Sequence, residues 1–133
     1  MADKQDIRED QMTLTDNVDY VRALKDNNSV LTRPSDLMKQ GGISYRVLIL
    51  SPEEQYELIF DSGLIMIQNT SISEEKAVAT LCGSGNGTVI VPSNSINFFS
   101  EVQGKVCVFN NSTKYVVKNK MNLSVGIKLT FIR

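Results

Sequence analysis

The chain has 133 residues, of which 41% are hydrophobic and 22% are charged, and this is the usual range for one globular domain with a core of its own. Its 14 basic and 15 acidic residues are mixed along the sequence, so no basic face indicates binding to nucleic acid or to an anionic membrane. Histidine is absent, which removes the commonest general base, the usual metal ligand and the Ser/His and Cys/His nucleophile arrangements. We therefore predict a protein that is not an enzyme and that uses no metal and no cofactor.

The first residues are too polar to form a core. Residues 2–10 contain almost no apolar side chain, so we expect the arm from residue 1 to about residue 16 to become ordered against a partner. The same charged start does not resemble a signal peptide, and no apolar run approaches the roughly 18 residues that a membrane-spanning helix needs. We therefore expect synthesis in the cytoplasm and no membrane insertion.

A small hairpin is predicted after this arm. Residues 19–24 are typical of a strand, residues 25–28 of a turn, and residues 29–32 of a second strand. Asp and Asn suit the turn because they tolerate left-handed backbone and bond to their own main chain.

The hairpin is followed by signals that break regular structure. Pro34 ends the second strand, and one helical turn is predicted over residues 35–39 before the Gly41–Gly42 pair ends it. The double glycine is the predicted boundary between an N-terminal region, residues 1–41, and a main domain, residues 42–133.

The main domain has many short strands with turn signals about every 8–12 residues, which is typical of an all-β sandwich or barrel. We predict a small antiparallel β-sandwich, jelly-roll-like, with no long helix. The predicted strands are residues 43–50, 56–60, 64–68, 76–82, 88–91, 96–99, 104–109, 114–118 and 124–133.

Two of these strands carry specific expectations about burial. In the last strand Val125, Ile127, Leu129 and Phe131 alternate with other residues, so we expect these four side chains to face the core. The strand over residues 43–50 is so apolar that we expect it to be buried on both faces toward its end. The turn that follows, residues 51–54, also fits a helix-capping box, but we prefer a tight turn.

Three polar features of the sequence are candidate functional sites. The glycine-rich stretch from Gly83 to Gly87 is followed by a strand, so we interpret it as a hairpin loop with glycines at positive φ, not as a phosphate-binding loop. Asn-X-Ser/Thr triplets are interpreted as turn residues; they begin at Asn27, Asn69, Asn86, Asn110, Asn111 and Asn122. Carboxylates are interpreted as solvated surface charge; they are Asp6, Glu9, Asp10, Glu53, Glu54, Glu74 and Glu75.

The tyrosines and the cysteines are the remaining candidate site residues. The scattered tyrosines are interpreted as core or interface residues, with a sugar-binding platform as the alternative; they are Tyr20, Tyr45, Tyr56 and Tyr115. Cys82 and Cys107 lie in apolar strands and are interpreted as buried free thiols, with a disulfide as the alternative. Two thiols alone do not make a structural zinc site.

The segment from Met12 to Leu37 resembles the virion-anchoring segment near the N-termini of tailed-bacteriophage fibres and spikes. Such segments run through a leucine, acidic residues, a strand, a polar turn, a Ser/Thr-rich strand and Asp-Leu. Further stretches look like the small β-sandwich at the head of such fibres, namely Gly63–Asn69, Gly104–Phe109, Tyr115–Asn119 and Ile127–Arg133. The resemblance implies that the anchoring residues are Leu14, Tyr20, Val21, Leu24, Leu31 and Leu37.

The resemblance implies a structural protein of the virion, with the chain's length fitting a short fibre or knob on the capsid. It further implies a homotrimer whose residues 1–41 attach to other virion proteins and whose β heads point outward, where a host-surface glycan is a potential ligand. Two alternatives stay open: a capsid decoration or stabilisation protein that binds through the β domain, and a small carbohydrate-binding module.

Overall fold

The computed structural model describes residues 17–72 and 75–133. The chain divides into two compact units, a first unit that ends at Leu37 and a second unit from Met38 to Arg133. The elements are β1 (Val21–Lys25), β2 (Asn28–Thr32), α1 (Pro34–Gln40), β3 (Ile43–Leu50), β4 (Gln55–Glu57), β5 (Gly63–Asn69), β6 (Glu75–Leu81), β7 (Gly87–Val91), β8 (Ile96–Phe98), β9 (Val106–Asn110), β10 (Tyr115–Asn119) and β11 (Val125–Ile132).

The first unit contains the predicted hairpin. Strands β1 and β2 pair antiparallel, with Val21 opposite Thr32 and Lys25 opposite Asn28. Asp26 and Asn27 form the turn at φ angles of 50° and 64°, the left-handed backbone that a two-residue hairpin turn requires.

Helix α1 is bounded by the two structure-breaking signals of the sequence, Pro34 and the Gly41–Gly42 pair. Pro34 occupies its first position, where the missing N–H costs nothing. Beyond its last residue the N–H of Gly42 donates to the carbonyl of Lys39 at 3.0 Å, and Gly42 has a φ of 85°.

The second unit contains two sheets. The larger has five strands in the order β3-β11-β5-β6-β7, and the smaller has four in the order β4-β10-β9-β8. Strands β8 and β9 pair in parallel, whereas the other pairs are antiparallel. The last strand of the chain, β11, lies between β3 and β5 and pairs with both.

The core lies between the inner faces of the two sheets. On β11 the predicted core residues Val125, Ile127, Leu129 and Phe131 are all buried, so that prediction is confirmed. They join one buried cluster with side chains of the smaller sheet, namely Ile96, Phe98, Val106, Val108, Tyr115 and Val117. The predicted all-β, sandwich-like class is therefore confirmed.

Two strand predictions were wrong. Strand β3 is not buried on both faces, because it is an edge strand and no described element covers the outer face of its sheet: Val47 is 61% exposed and Ile49 is 78% exposed. The strand predicted over residues 56–60 stops at Glu57, because its partner β10 begins at Tyr115, whose carbonyl accepts the N–H of Leu58 at 2.9 Å.

Within the described ranges no helix is long and apolar enough to cross a membrane.

Candidate functional site

The anchoring residues predicted by resemblance lie on the hairpin and on α1, and most are exposed to solvent. Leu24 is 76% exposed and Leu31 is 70% exposed, and Tyr20 and Leu37 are exposed as well. Val21 is half-buried, and Leu14 lies outside the described residues.

The hairpin register places the two leucines on one face. Arg22 is opposite Leu31 and Leu24 is opposite Ser29, and directly opposed residues project to the same side of a sheet. We call the surface formed by these four residues the leucine face. A two-stranded hairpin is marginally stable in water, so a hairpin with two exposed leucines is suited to gain stability by covering them.

A second candidate surface is the outer face of the five-stranded sheet. Tyr45, Thr130, Met66 and Val78 are successive partners in a row across β3, β11, β5 and β6. This row runs through a shallow depression of about 290 Å³, whose remaining outward side chains are Gln68, Lys76 and Lys128. The depression thus has an apolar floor with an amide and two ammonium groups around it.

The other tyrosines of the second unit do not form a sugar-binding platform with Tyr45. Tyr115 is buried, and its hydroxyl donates to the carbonyl oxygens of Cys82 and, at 3.0 Å, Asn86. Burial raises the pKa of the Tyr115 hydroxyl. Tyr56 is half-buried and accepts a hydrogen bond of 3.2 Å from Nε of Arg46. The interpretation of Tyr115 as a core residue is confirmed.

The Glu53 carboxylate is at the surface, as predicted, but it is not isolated. Lys120 Nζ lies 2.9 Å from its Oε2 and Lys118 Nζ lies 3.7 Å away, and both lysines also lie near Glu101. The hydrogen bond from Lys120 holds the pKa of Glu53 below its ordinary value and raises the pKa of Lys120. The cluster ties the turn after β3 to the end of β10.

The turn over residues 51–54 has a hydrogen bond typical of a tight turn and one typical of a helix-capping box. The Glu54 N–H donates to the Ser51 carbonyl at 3.0 Å, and the Ser51 N–H donates to the Glu54 carboxylate at 3.2 Å. The second bond is the one a capping box would make, but it closes a turn and no helix follows. The preferred turn is therefore confirmed.

Glu75 holds the segment that leads into β8. Its Oε2 accepts a hydrogen bond of 2.7 Å from the Ser93 hydroxyl and one of 2.9 Å from the Ser95 N–H. The hydrogen bond from Ser93 is the largest cause that holds the pKa of Glu75 below its ordinary value, and the bonds from Ser95 lower this pKa further. The carboxylate is thus partnered, and the interpretation as purely solvated charge was wrong for Glu75; Glu74, Asp6, Glu9 and Asp10 lie outside the described residues.

The glycine-rich stretch forms the predicted hairpin loop between β6 and β7. The Cys82 N–H donates to the Asn86 carbonyl at 2.7 Å, and the Gly85 N–H donates to the Cys82 carbonyl at 3.0 Å. Gly85 has a φ of 90°, but Gly83 and Gly87 do not have positive φ. For Gly87 the sequence prediction was wrong, because this glycine is required for a close approach: a Cβ there would lie 1.8 Å from the Thr80 carbonyl oxygen.

Three of the Asn-X-Ser/Thr asparagines use their side chains in turns, as predicted. The Asn110 Oδ1 accepts the Ser112 N–H at 2.9 Å, and the Asn111 Oδ1 accepts the Lys114 N–H at 3.0 Å. Asn69 is buried and its Oδ1 accepts the Ser71 N–H at 3.0 Å.

Both cysteines are free, but only one is buried. Cys107 is buried in β9, and burial raises the pKa of its thiol. Cys82 is exposed because it follows the last residue of β6 and begins the loop, so its predicted burial was wrong.

Neither the described residues nor the comparisons supply a chemical site. Within residues 17–72 and 75–133 no group of three or more Cys, Asp or Glu side chains is arranged to hold a metal ion. No family model, no curated protein and no solved structure matches the chain. The candidate surfaces are therefore defined by geometry alone: the leucine face and the outer face of the five-stranded sheet.

Proposed function

We propose that the chain is a structural, non-enzymatic protein of a bacteriophage virion, a short fibre that attaches through its N-terminal region and displays the β domain. The observation that supports this most directly is the leucine face. Two leucines more than two-thirds exposed on a marginal hairpin favour a segment whose function is to bind another protein. The resemblance of this segment to phage anchoring segments gives the class of partner, a virion protein.

The β domain fits the displayed part of such a protein. Its core is continuous and includes both sheets, so it forms a compact body after the anchoring region. The predicted homotrimer stays a prediction, and the open edge of strand β3 favours a pair of copies instead.

The proposal is tested by incorporation into virions. The double variant Leu24→Ser/Leu31→Ser removes the apolar side chains of the leucine face, and we expect at least a tenfold loss of the protein from purified particles. Leu123→Ser is the matched control, since Leu123 is 68% exposed but lies in the second unit. We expect this control to be incorporated like the unmodified chain.

Normal incorporation of the double variant would overturn the anchoring proposal. The protein would then be better described as a capsid decoration protein that binds through its β domain. Circular dichroism of both variants checks that they keep their strand content.

A second candidate function, carbohydrate binding, is favoured by the depression on the outer face. Tyr45 supplies an exposed aromatic ring there, and Gln68 and Lys128 supply hydrogen-bond donors beside it. A glycan array should then show binding by the unmodified chain that is lost in Tyr45→Ala and kept in Tyr20→Ala. An array without binding by the unmodified chain would remove this candidate.

A further inference from the structure

Strand β3 forms the longest open edge in the described part of the second unit. It has eight residues and pairs with β11 on one side only. The other three sheet edges are shorter, with five residues in β7 and three each in β4 and β8. Strand β7 also pairs irregularly at Val78/Ala79 and is followed by Pro92, and a bulge and a proline are both devices that blunt an edge.

The main-chain groups of β3 alternate between β11 and the open edge. The Arg133 N–H donates to the Gly42 carbonyl at 2.7 Å, so this carbonyl and the main-chain groups of every second residue after Gly42 face β11. The N–H and C=O groups of Tyr45, Val47 and Ile49 therefore face the open edge. Among the described residues one of these carbonyls has a side-chain donor: Nη1 of Arg46 lies 3.2 Å from the Tyr45 oxygen.

The side chains of the same three residues are apolar and exposed. Tyr45, Val47 and Ile49 project from the outer face, where no described strand covers them. An edge strand of this length without proline, glycine or a bulge offers a template for another strand.

We propose that this edge pairs with the same edge of a second copy of the chain, antiparallel about a two-fold axis at Val47. Across a two-fold axis at any single residue of β3, residues whose main-chain groups face outward pair with each other. An axis at Arg46 or at Val47 pairs seven of the eight residues of β3, whereas an axis at any other residue pairs five or fewer. The axis at Val47 places Val47 opposite its own copy and Tyr45 opposite Ile49. The inference does not rest on the proposed function.

The charges of β3 agree with this register. Arg46 is the one charged residue of the strand, and the axis at Val47 places it opposite Leu48 of the other copy. An axis at Arg46 would place two guanidinium groups directly opposite each other, and like charges in that position destabilise a sheet. The Arg46 side chain also bonds to Tyr56 of its own chain, away from the axis.

Cysteine cross-linking tests the register. In a Cys82→Ser background of the full chain, Val47→Cys places two thiols on opposed residues with Cα atoms about 5.5 Å apart, a separation that a disulfide spans. Ile49→Cys is the matched control, since this residue lies four positions from its own copy, about 14 Å away. We expect a covalent dimer from Val47→Cys under mild oxidation at a rate at least tenfold higher than from Ile49→Cys. Equal rates would overturn the register.

Mass measurement tests the pairing without new thiols. The average molar mass of the full chain, measured by light scattering from about 10 to about 500 µM, should rise with concentration to about twice the 14.8 kDa chain mass. Val47→Lys places two ammonium groups opposite each other at the axis, so this variant should show no rise in mass. Ile90→Lys, on the other edge of the sheet, is the control and should show the same rise as the unmodified chain.

Two results would overturn the inference. A chain mass of 14.8 kDa throughout this range would leave the edge to a strand from another protein. A mass three times that of the chain would mean a three-fold arrangement, which a two-fold pairing of β3 does not build.

Discussion

The side-chain amide of Asn119 donates a hydrogen bond of 2.9 Å to the carbonyl oxygen of Leu50. Asn119 ends β10 in the smaller sheet, and Leu50 ends β3 in the larger one, so a buried amide joins the two sheets. The same Nδ2 donates to the Leu123 carbonyl at 2.8 Å, and the Oδ1 accepts the Met121 N–H at 2.8 Å. Met121 and Leu123 lie in the loop between β10 and β11, so the last two bonds hold backbone groups outside the strands.

We expect Asn119→Leu to lower the free energy of unfolding by on the order of 3 kcal/mol, because it removes the buried hydrogen bond to the Leu50 carbonyl and two partly buried bonds to the loop backbone. Urea denaturation followed by circular dichroism measures this change. Asn122→Leu is the control: this residue is exposed in the same loop, so the substitution should stay within about 0.5 kcal/mol. A small effect at Asn119 would mean that water replaces its bonds.

The sequence predicted the features that depend on local pattern. The alternation in β11 identified its buried face because side chains on a strand alternate between two sides, whatever the strand's neighbours are. The turn at Asp26 and Asn27 was predictable for a similar reason, since these residue types tolerate left-handed backbone.

Features that depend on strand order were not predictable. The sequence of β3 is apolar at nearly every position and is typical of a central strand, yet the position beside β5 is taken by β11 from the far end of the chain. The exposure of Val47 and Ile49 follows from this edge position and from an outer face that no described element covers. The tie from Asn119 also escaped prediction, because an asparagine at the end of a strand is typical of a turn.

Leu129→Ala should destabilise the protein by about 2–5 kcal/mol, because it opens a cavity on the buried face of β11. Lys128→Ala, one residue earlier on the outer face, should change the free energy of unfolding by about 0.5 kcal/mol or less. Chemical denaturation of both variants compares the two faces of one strand. Similar losses at both positions would contradict the face assignment.

Gly87→Ala should destabilise the protein by at least about 1–3 kcal/mol. The added Cβ would lie 1.8 Å from the Thr80 carbonyl oxygen and 2.8 Å from Cζ of Phe99. The strands β6 and β7 would have to separate to admit it. Gly83→Ala is the control within the same loop, because its Cβ would meet nothing closer than 3.9 Å. Thermal melting of the two variants should therefore separate them clearly, and equal melting temperatures would contradict the close approach.

One of the two thiols should react with an aromatic disulfide reagent in the folded protein. Cys82 is exposed, whereas Cys107 is buried with a raised pKa, so its thiolate is both inaccessible and scarce. Absorbance of the released thiolate should give one equivalent under native conditions and two in denaturant. Cys82→Ser should remove the native signal, and a residual fast equivalent in that variant would show that Cys107 is accessible.

The carboxylate of Glu75 should make the free energy of unfolding depend on pH in the acidic range. Its pKa is lowered from 4.5 in the folded chain by the hydrogen bonds from Ser93 and Ser95, so the ionised form binds these donors better than the protonated form does. A group with a lowered pKa in the folded state contributes stability that is fully present at pH values above its pKa in the unfolded chain. That contribution is lost as the pH falls through the lower pKa of the folded chain.

Glu75→Gln should therefore reduce the loss of stability between about pH 7 and about pH 3, because the amide keeps an acceptor oxygen and does not titrate. Unfolding by urea at a series of pH values measures the slope for each chain. Glu57→Gln provides the control, since Glu57 forms a surface ion pair with Lys114 and its side chain is 58% exposed, and such pairs contribute little. If Glu75→Gln keeps the acid sensitivity of the unmodified chain while Glu57→Gln removes it, the segment from Ser93 to Ser95 is not held by the Glu75 carboxylate.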